Sequence, residues 1–180
     1  MRKPLRVGLI GLAGSGKDTA AAALVAAGWQ RVAFADQVRR FVEAANPQIG
    51  NCTLADLVAG LGWEQAKREI PAVRRTLVEF GQAARHVLGS DVWLNAALNQ
   101  TTSDRTVYTD VRFPNEAEAM TFTVRIVRPG VDIPQDPADR SAAGLPADFT
   151  IVNNSTKTRL QRQLVDVLTS VGIDMSAMLP

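Results

Sequence analysis

The sequence predicts an α/β fold built on a parallel sheet, and three observations carry that prediction. Short apolar runs at residues 7–10, 30–35, 106–109, 123–127 and 149–152 alternate with longer stretches of helical periodicity. A glycine-rich turn, Gly11-Leu12-Ala13-Gly14-Ser15-Gly16-Lys17-Asp18-Thr19, separates the first of these runs from an alanine-rich one. Gly11 and the polar residues Asp36, Asp110, Arg128 and Asn153 follow the five runs, so a parallel sheet would gather them along one edge, where ligands bind.

Taken in order, the first strand runs into the glycine turn, and residues 18–27 follow as a helix rich in the best helix former and stopped by Gly28. The second run places Asp36 at a strand-to-helix corner, where Val38, Phe41 and Val42 open a helical pattern. Residues 47–51 read as a loop. Thr53 with Asp56 has capping-box spacing ahead of Leu54, Leu57, Val58 and Leu61. Beyond Pro71, the residues Val73, Leu77, Phe80, Ala84 and Val87 or Leu88 recur at helical spacing up to Gly89, and residues 92–98 read as a further helix. Residues 37–99 therefore form a helical insertion between two strands.

After the third strand, Asn115 with Glu118 has the pattern of a helix start. Residues 128–147 contain four prolines and little periodicity, which describes a lid-like loop longer than ordinary connections. The chain ends on a helix whose apolar stripe is Leu160, Leu164, Val167 or Leu168, and Val171.

At 180 residues and 46% hydrophobic, the chain fits one domain, 1–180, with a sizeable core. The single cysteine, Cys52, excludes an intrachain disulfide and suits a reducing compartment. The apolar run after the charged N-terminus is broken by the glycine turn, so neither a signal peptide nor a membrane span is expected; the expected location is the cytoplasm. The 20 Lys plus Arg are nearly cancelled by 18 Asp plus Glu, and a net charge of +2 gives no strong field for nucleic acid. With His86 the one histidine, neither a zinc cluster nor a Ser-His-Asp set is expected.

The glycine turn carries the chemistry. Gly11 and Gly16-Lys17 have the spacing of a phosphate-binding loop, in which backbone N–H groups wrap a phosphate, the helix N-terminus adds partial positive charge and the lysine neutralises the distal phosphates. A nucleoside triphosphate is the expected ligand. Gly11, Ala13, Gly14, Ser15, Gly16, Lys17, Asp18 and Thr19 are its expected contacts. The hydroxyl that ordinarily follows the lysine and holds Mg²⁺ is replaced by Asp18, with Thr19 one place later. Asp18 reads either as a Mg²⁺ ligand or as an acid stabilising the helix N-terminus. Asp110, at a strand end, reads either as a metal-organising carboxylate or as a turn former.

Gly16-Lys17-Asp18-Thr19, Phe34-Ala35-Asp36, Leu77 through Gly81 with Arg85, Asp91-Val92-Trp93, and Asp110-Val111-Arg112-Phe113-Pro114-Asn115-Glu116 stand in the order seen in the deoxynucleoside monophosphate kinases of tailed bacteriophages, which the chain resembles over about residues 5–164. That resemblance implies a three-layer P-loop kinase fold with a five-stranded parallel sheet, a helical acceptor-binding insertion and a short lid. It implies ATP and a deoxynucleoside monophosphate (dNMP) as partners, Mg²⁺ as cofactor, and a homodimer. Phosphoryl transfer between nucleotides relies on positioning and cationic clamps, so arginines matter. Lys17 would bridge the donor phosphates. Arg112, Arg39, Arg75 and Arg85 are candidates for the acceptor phosphate or the transferring group, and Arg128 and Arg140 for closing over the triphosphate. Arg40, Arg68 and Arg74 are left to the surface.

Asp36 would bond the acceptor or organise Arg39, or else cap a helix. Phe80 and Trp93 would flank the acceptor base, although aromatics at helical spacing more often pack a core. Asn153 lies where this fold contacts adenine. Gln82, Glu79, the missing Gly-Gly pair before the fourth strand and the lid's bare Arg140-Ser141 depart from the family pattern. The competing readings are a P-loop kinase of another phosphorylated acceptor, such as dephospho-coenzyme A, and a non-catalytic nucleotide-binding module acting on nucleic acid, which would bind polynucleotide with steep salt dependence.

Overall fold

The computed structural model describes residues 3–131 and 137–175, and of residues 137–140 the backbone alone. In chain order its elements are β1 (Leu5–Ile10), α1 (Lys17–Ala26), β2 (Gln30–Val32), α2 (Phe34–Ala45), β3 (Gln48–Ile49), β4 (Cys52–Thr53), α3 (Leu54–Leu61), α4 (Trp63–Glu69), α5 (Pro71–Leu88) and α6 (Val92–Asn99). They continue with β5 (Arg105–Val111), α7 (Pro114–Glu118), β6 (Phe122–Val127), α8 (Pro137–Gly144), β7 (Phe149–Val152) and α9 (Lys157–Ser170). The chain forms two compact units, Phe34–Ala97 and the segments on either side of it.

The flanking segments build the expected five-stranded parallel sheet, in the order β2-β5-β1-β6-β7. Alternation along the strands sorts the side chains by face. Val7, Leu9, Val107, Val124, Ile126 and Ile151 join Ala20, Ala21 and Leu24 of α1 and Leu160, Leu164 and Leu168 of α9 in one buried cluster. On the opposite face, the side chain of Met120, just past α7, stands where a Cβ on Gly8 would be, 2.6 Å from its Cγ. The Arg125 guanidinium reaches across from β6 to the carbonyls of Ala142 and Leu145 at the end of α8. Helical layers therefore cover both faces.

Local chemistry ends the helices where the sequence says it should. Gly28 adopts φ 80° after α1, its N–H bonds Val25 O at 3.0 Å, and Trp29 N–H bonds Leu24 O at 3.0 Å, a Schellman motif whose apolar partners both enter the core. Thr53 and Asp56 form the expected capping box of α3, and the hydrogen bonds from the Thr53 hydroxyl and N–H hold the Asp56 carboxyl below its ordinary range.

The unit Phe34–Ala97 has its own core of Val42, Ile49, Leu54, Trp63, Ala66 and Val73, with Leu77 and Phe80 packed against it.

Four local expectations are corrected. The second strand stops at Val32, and α2 starts at Phe34, so Asp36 lies in the first turn of a helix rather than at a strand end. An apolar run this short satisfies both periods, so the pattern alone does not separate strand from helix there. Residues 47–51, read as loop, contain half of a two-stranded hairpin turning at Gly50, φ 63°. Its strands of two residues are too short for alternation to show. The helix after Arg112 begins at Pro114, not after an Asn115 cap, because proline's fixed φ suits the first helical position. Finally, the lid-like stretch 128–147 is not all loop, since α8 occupies Pro137–Gly144 and starts on a proline for the same reason.

Leu164 is fully buried between α9 and the sheet. Leu164→Ala should destabilise the protein by about 2–5 kcal/mol, read from the urea midpoint at an unchanged m-value.

Candidate functional site

The loop between β1 and α1 lies at the C-terminal end of the central strand, where the chain's crossovers change direction along the sheet. Its shape is set by three close approaches. A Cβ on Gly11 would sit 2.6 Å from both Ile126 O and Ser15 Oγ, so only glycine lets β6 and the loop meet there. Gly14 and Gly16 have φ of 79° and 104°, open to glycine and strained for other residues. At Gly16 a Cβ would also stand 2.6 Å from Asn153 Nδ2. Ser15 N–H closes the turn on Leu12 O at 3.1 Å.

Lys17 folds back over the loop, its Nζ donating to Gly11 O at 2.7 Å and Leu12 O at 2.8 Å. The cation is therefore already inside the loop that would receive phosphate. Lys17, Asp18 and Thr19 form the first turn of α1, the positive end of the helix dipole. Asp18 is 74% exposed and pairs with Arg31 at 3.2 Å. Ser15 is 1% exposed, and its hydroxyl has no hydrogen-bond partner among the described residues; it borders a cavity of about 150 Å³ whose other walls include Gly11, Leu12, Arg125, Arg128 and Ala143.

Two residues from neighbouring strand ends reach the loop. Arg128 Nη1 lies 3.4 Å from Gly14 O, and Asn153 Nδ2 donates to Ser15 O at 2.8 Å. The Asn153 N–H bonds Val127 O at 2.7 Å, which ties it to the end of β6. Asp110 is buried in the last turns of β5, next to a bulge: Gly8 pairs with Tyr108 but Ile10 with Val111, so β5 carries one extra residue at Thr109–Asp110. Arg112 follows, and the buried Glu116 carboxylate accepts from the N–H groups of Arg112 and Phe113 at 2.8 and 3.2 Å. Arg140 falls in α8, and its side chain lies outside the described residues.

The remaining candidates lie in the unit Phe34–Ala97. Asp36 is half-buried in the first turn of α2. Arg39 lies 4.3 Å over the Trp63 ring and pairs with Glu43 at 2.9 Å. Arg75 is exposed on α5. Arg85, near the end of α5, donates to Ser90 O at 2.7 Å. Trp93 is 5% exposed, with Nε1 bonded to Gly81 O at 2.9 Å, and Phe41 packs edge-on against it at 5.8 Å and against Phe80 at 6.2 Å. These are packing contacts for Trp93 and Phe80.

Sequence reasoning did not assign roles to Glu116 or Arg31. Glu116 stands two residues after Pro114, a position from which a helical carboxylate reaches back to the preceding N–H groups, so its signal was present. Arg31 had none, because its pairing with Asp18 depends on strand placement.

No protein-family model matches the sequence, and no curated protein does. Among solved structures, TT1252 from Thermus thermophilus superposes with a TM-score of 0.53 at 19% identity, over 94% of this chain and 99% of that one. The two share a fold. Shikimate kinase from Aquifex aeolicus matches with a TM-score of 0.46 at 14% identity, over 93% of this chain and 99% of its own. An unliganded sugar kinase from Janibacter sp. matches with 0.44 at 15%, over 98% and 99%. Among the described residues, no helix is long and apolar enough to cross a membrane.

Gly11→Ala should lower triphosphate affinity at least tenfold, read by titrating a fluorescent ATP analogue, because the added methyl cannot coexist with Ile126 O and Ser15 Oγ. The core cluster does not depend on this atom, so the far-UV spectrum should not change.

Proposed function

We propose that the chain is an ATP-dependent kinase of nucleoside monophosphates, with deoxynucleotides as its acceptors. The observation that carries this reading is the glycine loop with Lys17 folded onto the Gly11 and Leu12 carbonyls at the N-terminus of α1. The ordered stretches from Gly16 to Glu116 that resemble the phage enzymes supply the acceptor class.

In this reading an oxygen of the acceptor's phosphate attacks the γ-phosphorus of ATP, the bond from that phosphorus to the β,γ-bridging oxygen breaks, and ADP leaves. The chain contributes position and charge. Lys17 exchanges two neutral carbonyls for anionic phosphate oxygens, which strengthens its hydrogen bonds. Arg112, its backbone fixed by Glu116, clamps the transferring or acceptor phosphate in the planar fork that guanidinium provides. Arg128 stands beside the loop for the same charge. The unit Phe34–Ala97 is the acceptor-binding part, with Asp36, Arg39, Arg75 and Arg85 as its polar contacts.

The residues present suit Mg²⁺. Asp18 is an exposed carboxylate in the first turn of α1 and Asp110 a carboxylate at the end of β5, and this ion needs one or two such donors when substrate phosphates provide the rest. Bound there with the nucleotide, it would offset charge on the phosphates that Lys17 and the arginines share.

The decisive experiment measures ADP formation from ATP and Mg²⁺ with each of the four deoxynucleoside monophosphates, their ribose counterparts and dephospho-coenzyme A offered singly. Turnover with one or more deoxynucleotides is expected. Turnover with dephospho-coenzyme A alone would replace the acceptor, and silence with all of them from protein that binds ATP would overturn the reading. Lys17→Ala should abolish turnover in a folded protein. Arg112→Ala should lower kcat/KM for the acceptor by at least about a hundredfold, the scale of losing one transition-state charge contact.

A further inference from the structure

The Asn153 side chain donates its amide to Ser15 O at 2.8 Å, and its Nδ2 fills the space a Cβ on Gly16 would take. A trans peptide is planar, and its C=O and N–H point in opposite directions. Holding the Ser15 carbonyl outward on Asn153 therefore turns the N–H of the same peptide, which belongs to Gly16, toward the inside of the loop. The neighbouring peptide follows the same rule. Arg128 Nη1 lies 3.4 Å from Gly14 O, and the N–H of that peptide, from Ser15, is directed the opposite way, onto Leu12 O.

We infer that Asn153 is a positioning residue of the phosphate loop, acting through the Ser15–Gly16 peptide, and not a contact to the nucleotide base. The arrangement has the rigidity such a role needs. Asn153 N–H is fixed on Val127 O at 2.7 Å, so the side chain is anchored at the junction of β6 and β7. Gly16 is required on both counts, by its φ of 104° and by the occupied Cβ position. A Cβ would also meet Leu160 Cδ2 of α9 at 3.0 Å, so Gly16 packs closely against α9 as well. Asparagine is specific here, because aspartate has the same shape but offers only acceptors to a carbonyl oxygen.

The inference rests on the reading of the loop as a triphosphate site, and the test separates the two. Calorimetric titration with ATP and with inorganic tripolyphosphate, each with Mg²⁺, compares the wild-type chain with Asn153→Ala and Asn153→Asp. A loop-positioning residue weakens both ligands by the same factor, about five- to tenfold for alanine, the scale of one hydrogen bond, and more for aspartate. Loss confined to ATP would overturn the inference in favour of a base contact, and so would unchanged affinity for both. A wild-type chain that binds neither ligand overturns the loop reading and the inference with it. Should either variant fail to fold, the Asn153 side-chain amide of the wild-type chain decides by NMR: ATP and tripolyphosphate should shift it alike, and a shift with ATP alone overturns the inference.

Discussion

A loop whose N–H groups must converge on one point has to be held from outside, because those aligned dipoles repel one another until an anion arrives. Here the hold comes from the sheet. Gly11 lies against the Ile126 carbonyl of β6, Ser15 O is fixed on Asn153 beyond β7, and Ser15 N–H closes across to Leu12 O. Lys17 completes the arrangement by occupying the interior with its ammonium on the Gly11 and Leu12 carbonyls. The strand order matters for this reason: only with β6 and β7 lying in sequence beside β1 do Arg128 and Asn153 reach successive carbonyls of the same loop.

The core lies directly beneath this site. Leu160, in the first turn of α9, is both a member of the main cluster and the floor under Gly16, while Thr156 caps that helix by accepting from Arg159 N–H. Gln161 reaches from the next position to Thr19 O at 3.1 Å. Helix α9 thus fixes the start of α1 by packing at one residue and hydrogen bonding at the next.

The strong periodic signals were legible in the sequence: four of the five strands, the start of the second, the loop, the helix after it, the capping box at Thr53 and the closing helix form where the pattern puts them. What was not legible falls into two kinds. Phe34-Ala35-Asp36 and the stretch 47–51 are too short for a period of 2 to be told from one of 3.6 or from none, so a helix start and a small hairpin were missed. Contacts between distant residues were the other kind. Asn153 was legible as a polar residue at a strand end, but its partner Ser15, 138 positions away, is fixed by strand order alone. The same holds for Arg31 and Asp18.

Asp18 shows how a departure from the usual loop chemistry is accommodated. A carboxylate in the place of a hydroxyl adds a negative charge where a triphosphate would lie, and two features offset it. It stands in the first turn of α1, where the helix dipole favours an acid, and Arg31 pairs with it from β2. Both groups are well exposed, at 74% for Asp18 and 40% for Arg31, and exposed ion pairs contribute little net free energy. The pair is therefore cheap to open. A buried partner would have committed Asp18 to the protein, whereas this exposed partner offsets its charge and, under the proposed function, could be exchanged for a divalent cation at little cost.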